Sequence, residues 1–226
     1  MRVAALYDVH GNLPALEAVL AEVPEDAAIV IGGDVAAGPF PAETLERLRG
    51  VGDRVHWLRR NADRELAPGE TGNAPPHLTE WIRARLSGEQ IAFLFGLPPT
   101  VTLDVDGIGR VLFCHATPHS DMDIFTVVTP EARVASVFAG VDASLVVCGH
   151  THMRFDRTIA GVRVVNPGSV GMSYEDEPGA CWALLGPGVE HRRTAFEPAP
   201  NDWPGEPPKP SRAEALAFLE THAVGA

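Results

Sequence analysis

The sequence predicts an α/β fold built on two β-sheets rather than one doubly wound sheet. Three observations carry this. The first sixty residues alternate apolar runs with amphipathic stretches in a β-α-β-α-β pattern. The second half is dominated by hairpin patterns. The composition, 45% hydrophobic and 21% charged over 226 residues, is that of a globular chain able to bury a large core.

The first strand is "RVAALYD" (2–8), an apolar run that reads as buried. "NLPALEAVLAEV" (12–23) reads as a helix with Asn12 at its N-cap and Pro14 in its first turn. "AAIVIGGD" (27–34) is a second buried strand, "PAETLERLRG" (41–50) a helix between Pro41 and Gly50, and "RVHWLR" (54–59) a third strand. Residues 74–96 read as helical, with a capping box at Ser87 and Gln90. Hairpins are expected over 100–116, turning near Gly107, over 154–169, turning at Gly161, and over 180–196; "SLVVCGH" (144–150) is one more buried strand. Six prolines in 198–210 predict an extended tether, and Ser211 with Glu214 caps a terminal helix within 211–224. The whole chain, 1–226, is expected to form one domain, since single α/β domains reach about 200–250 residues.

Composition also limits function. No apolar run approaches the roughly 18 residues a membrane span needs. "MRVAALYDVHG" is a short apolar segment for a signal peptide, and Asp8 interrupts it. Cys114, Cys148 and Cys181 lie in apolar runs and read as buried free thiols. Together these predict a cytoplasmic protein without membrane attachment. A net charge of −12 argues against a broad nucleic-acid surface. It leaves room for a small anionic substrate where metal ions supply local positive charge. A homo-oligomer stays open.

The functional signal lies where the strands end. Asp8 and His10 follow the first strand, Asp34 the second, and Asn61 and Asp63 the third. His115 follows the first hairpin, and His150 and His152 follow the next strand. Ligands of α/β proteins gather beyond the carboxyl ends of the strands, where polar groups converge while the strands behind stay apolar. Any one of these motifs alone reads as a cap, a turn or a surface imidazole. Five in succession read as a metal site. Imidazole and oxygen donors without thiolate suit Mn, Fe, Zn or Co, and the set is too large for one tetrahedral ion. Two ions sharing a carboxylate, about 3.5–4 Å apart, would use it.

In this order the residues resemble the calcineurin-like metallophosphoesterase superfamily, and most closely its small bacterial and archaeal phosphodiesterase branch. The motifs are Asp8-x-His10, Gly33-Asp34 with Pro39, Asn61-x-Asp63, His115 and Gly149-His150-Thr151-His152, with "NPGSVGMSY" (166–174) extending the likeness. The resemblance implies two divalent or trivalent ions, Mn, Fe or Zn. One is held by Asp8, His10 and His152, the other by Asn61, His115 and His150, with Asp34 bridging. It implies hydrolysis of a small phosphodiester or nucleotide by a metal-bridging hydroxide, without a phospho-enzyme. The fold then expected is a four-layer α/β/β/α sandwich of two mixed β-sheets flanked by helices.

Two positions depart from the family pattern. Ala62 stands where a histidine commonly helps protonate the leaving group, and Arg60 where glycine is usual. Losing general-acid help worth about 10²–10⁴-fold weighs against poorly activated monoesters. Arg60, Asn12 and Asn61 are expected near substrate phosphate. His119 is the candidate replacement proton donor, and Asp63 is expected to support the ligands from behind. The rival readings are a phosphomonoesterase, nucleotidase or dinucleoside-polyphosphate hydrolase, and a non-catalytic, metal-containing protein-binding scaffold. The complete ligand set weighs against the scaffold.

Overall fold

Two five-stranded sheets stack face to face in the computed structural model of this chain, which describes residues 1–59, 61–67, 69–70, 74–205 and 209–225. In the first sheet β1 (Val3–Leu6), β2 (Ala28–Ile31) and β3 (Val55–Trp57) run parallel. Helices α1 (Leu13–Glu22) and α2 (Pro41–Arg49) connect them. The chain continues through α3 (Asn61–Arg64), α4 (Pro76–Arg83) and α5 (Gly88–Phe95). It then builds the second sheet from β4 (Val101–Val105), β5 (Gly109–Phe113), β6 (Leu145–Val147), β7 (Phe155–Ile159) and β8 (Val162–Asn166). Helix α6 (Glu131–Phe138) lies between β5 and β6. The last hairpin, β9 (Ala180–Leu185) and β10 (Val189–Thr194), returns to the first sheet, where β9 pairs antiparallel with β1. Strand orders are β10-β9-β1-β2-β3 and β4-β5-β6-β8-β7, each mixing parallel and antiparallel neighbours.

The layers arise from the two-residue period of a strand. Val3, Ala5 and Tyr7 of the first sheet meet Val111, Phe113, Leu145 and Val147 of the second in a buried seam. Ala4, Leu6, Ile29 and Ile31 point the other way, onto Leu16, Val19, Leu45 and Leu48 of α1 and α2. On the far face of the second sheet, Val146, Phe155 and Val164 pack against Val134 and Phe138 of α6. The order is therefore helices, sheet, sheet, helix: the four-layer sandwich.

Several boundaries differ from expectation for local reasons. The helical region expected over 74–96 consists of α4 and α5, the second starting at Gly88 from the expected Ser87 capping box. Helix α6 has no counterpart among the expected elements; it begins after Pro130 with no side-chain cap to signal it. Helix α7 (Arg212–Glu220) begins at the Ser211 capping box, as the sequence predicts.

Candidate metal centre

The strands end early, and the turns beyond them have unusual backbone. Among the described non-glycine residues, six have positive φ: Asp8 (54°), His10 (48°), Asp34 (50°), His150 (67°), His152 (58°) and Ala160 (49°). Five of the six belong to the predicted metal set. Such a conformation costs about 1–3 kcal/mol for each residue that carries a Cβ, and persists only where the surroundings fix it. Here they do. His10 N–H donates to the Asp34 carbonyl at 2.7 Å and Gly11 N–H to Val35 at 2.8 Å, tying the turn after β1 to the turn after β2. Gly171 N–H and the Ser169 hydroxyl both donate to the Asp8 carbonyl, at 3.0 and 2.8 Å. The turns also pack too closely for side chains. A Cβ on Gly38 would lie 1.7 Å from the His10 carbonyl oxygen, and one on Gly149 would lie 2.6 Å from Asp8 Oδ2.

The side chains converge. Donor atoms of Asp8, His10, Asp34 and His152 all lie within 4.8 Å of one another. His10 Nε2 is 3.1 Å from His152 Nε2, and His115 Nε2 is 3.1 Å from His150 Nδ1. The two imidazole pairs have nearly the same geometry, with ring centroids 4.8 and 4.9 Å apart. Asp34 Oδ2 sits between them, 3.9 Å from His10 Nε2 and 3.5 Å from His115 Nε2. Asp8 Oδ1 is 3.7 Å from both His152 Nε2 and His115 Nδ1, while Asp8 Oδ2 accepts from the His150 N–H at 3.1 Å. Asp8 and His115 are fully buried.

The donor set fits a cation. His10 Nδ1 faces the Ala37 carbonyl at 3.1 Å, and His152 Nδ1 faces the Met172 carbonyl at 2.9 Å. A carbonyl only accepts, so each Nδ1 carries the ring proton and each Nε2 presents a lone pair. Two lone pairs facing each other at 3.1 Å repel unless a positive charge lies between them. A second ring proton is disfavoured: burial pushes the His10 imidazole down to about 4, and burial with the neighbouring imidazoles pushes His152 well below the usual range. Metal-bound imidazoles are commonly held this way, with the distal N–H on a carbonyl.

The remaining predicted residues fall around this group. Buried Asp63 accepts from the N–H groups of Val35 and Ala36, at 3.0 and 3.5 Å, and so holds the chain just beyond Asp34. Asn12 caps α1 through Ala15 N–H and donates to the Gly171 carbonyl at 3.0 Å, so both ends of its amide are engaged. Half-buried Asn61 opens α3; with its amide turned to satisfy both neighbours, its nitrogen faces the Asp121 carbonyl at 3.2 Å and its oxygen accepts from Ala62 N–H at 3.1 Å. Arg60 lies outside the described residues. His119 lines a separate recess with Arg59, Arg64 and Asp121, away from the one that His10 and Asn12 line.

Two positioning groups are absent from the set that the sequence predicts. Asn166 donates to the Gly149 carbonyl at 2.8 Å and to Thr151 Oγ1 at 3.1 Å, which shapes the His150–His152 turn. Ser169 does the same for Asp8. The "NPGS" motif announces them only as a turn.

Comparison with known proteins identifies the family and fold. A family model, the calcineurin-like phosphoesterase superfamily domain, matches residues 1–186. A crystal structure of a metallophosphoesterase from Sphaerobacter thermophilus is 25% identical, covers 87% of this chain and 89% of its own, and superposes with a TM-score of 0.70. A hypothetical protein from Pyrococcus horikoshii shares the fold at 21% identity and a TM-score of 0.75, over 87% of this chain and 88% of its own. An uncharacterized protein from Methanocaldococcus jannaschii is 26% identical over 186 residues, 77% of this chain and 71% of that protein.

Proposed function

The chain belongs to the calcineurin-like phosphoesterase superfamily and is a metal-dependent phosphoester hydrolase, and from that premise we propose that it cleaves small phosphodiesters, nucleotides included, at a two-metal centre. The observation that carries this is the position of Asp34: one carboxylate oxygen between two imidazole pairs of matching geometry. In this reading Asp8, His10 and His152 hold one ion and Asn61, His115 and His150 the other, with Asp34 shared. The mixed imidazole and carboxylate donors favour Mn, Fe or Zn. When bound, the ions supply Lewis acidity and a water of lowered pKa for in-line attack on phosphorus.

The chain's own residues supply positioning. The Ala37, Met172 and Gly32 carbonyls fix the ring orientations of His10, His152 and His115 from behind. Asp63 fixes the backbone after Asp34. Ala62, in α3, offers no proton to a leaving group. That favours diesters and activated esters over monoesters with poor leaving groups.

The test is hydrolysis of bis(p-nitrophenyl) phosphate beside p-nitrophenyl phosphate, with added Mn²⁺ and with chelator. The expected result is chelator-sensitive cleavage that favours the diester. A monoester preference, or no cleavage of either by metal-loaded protein, would overturn the diester assignment.

A further inference from the structure

The cavity beside the candidate metal group is walled partly by residues that the family match does not reach. It encloses about 530 Å³, within the usual range for pockets that take small ligands. His10 and Asn12 line it from the metal side; Phe196, Trp203 and Lys209 line it from the segment beyond residue 186, where the match ends. Tyr174 joins them, its ring stacked on the His152 imidazole at 5.0 Å and 28°. The cavity thus has a candidate ligand, His10, and three aromatic side chains, Tyr174, Phe196 and Trp203, in its lining.

This wall is anchored rather than loose. Trp203 packs edge-on against Trp81 at 5.0 Å, and its indole N–H donates to the Gly205 carbonyl at 2.8 Å. Asp202 pairs with Arg85 at 2.7 Å. Lys209 Nζ donates to the Glu175 carbonyl at 2.8 Å. Lys209 is also the single lysine in a chain of net charge −12. An ammonium carries three N–H donors, and one carbonyl uses one of them.

We propose that Tyr174, Phe196 and Trp203 form a subsite for the planar base of a nucleoside phosphate, with Lys209 facing the charge of its phosphate. Aromatic rings accept any base by stacking, which sets a substrate class without reading a sequence. The proposal rests on the phosphodiesterase reading for its chemistry, but its test does not depend on turnover.

The test compares two ligands that differ only in the base. Adenosine 5′-monophosphate and ribose 5-phosphate are titrated calorimetrically into the metal-loaded protein. The expected result is about tenfold tighter binding of the nucleotide, the size of one base–aromatic stack. Trp203→Ala should remove that difference and Trp203→Phe should keep most of it; Phe196→Leu serves if Trp203→Ala does not fold. Lys209→Gln should weaken both ligands several-fold, more at low salt than at high. Equal affinity for the two ligands would overturn the base subsite, and unchanged binding by Lys209→Gln would overturn the role of the ammonium. If neither p-nitrophenyl ester is cleaved while the nucleotide still outbinds the sugar phosphate, the diesterase reading falls and the subsite stands. The reverse pattern removes the subsite alone.

Discussion

At His10 and His152 a backbone carbonyl behind each ring decides which nitrogen faces forward. The same economy holds at Asp34, where neighbouring amides and Asp63 fix the backbone that carries the carboxylate. Asp34→Asn keeps the shape but removes the charge shared between the imidazole pairs. Turnover should fall by about 10²-fold or more, the loss seen when one preorganised electrostatic group is removed, and metal content measured on the purified protein should drop with it. Gly149→Ala tests the close approach. Its new Cβ would meet the Tyr7 ring at 2.5 Å and Asp8 Oδ2 at 2.6 Å. We expect a loss of about 1–3 kcal/mol in urea unfolding, as overpacking brings, together with weaker metal retention. The residues that converge are legible in the sequence because Asp-x-His and Gly-His-x-His are local patterns at strand ends. The left-handed φ values are not, because an aspartate or histidine in that region looks in sequence like any other.

Elements set the frame that aims these residues. The predicted strand over 27–34 stops at Ile31, since Gly32, Gly33 and left-handed Asp34 already form the turn. The order of strands and helices in the first half is readable from apolar runs and caps. The partition of the hairpins between sheets is not, since nothing local in "ACWALL" states that β9 will leave the second half and pair with β1. Helix α6 is silent for a similar reason: Pro130 precedes it without a capping side chain, and its apolar face is two buried residues, Val134 and Phe138. The turn after β8 joins the sheets at the site through Asn166 and Ser169. Asn166→Ala strips a buried partner from the Gly149 carbonyl. It should cost about 1–3 kcal/mol, read as a lower urea midpoint, with metal affinity reduced because the His150–His152 turn loosens.

Across the whole molecule, burying neutral imidazoles couples the site to stability. The folded His10 titrates near 4, below the roughly 6.5 of an exposed imidazole. Between those values the unfolded chain binds the extra proton and the folded chain does not, so stability rises with pH across the window. The metal-free protein should keep this contribution above about pH 6.5 and lose it as pH falls toward 4. A urea midpoint clearly lower at about pH 5 than at about pH 7, after chelator treatment, is the expected result; a flat profile would contradict it.

The seam between the sheets has one more consequence. Asp8, His10 and Asp34 come from turns of the first sheet, and His115, His150 and His152 from turns of the second. Every one of the first three precedes the connection between α5 and β4, and every one of the last three comes after it. A polypeptide cut there yields two pieces, each with three of these six residues. Turnover by the mixed pieces would then report their reassembly, which makes this chain a natural split reporter.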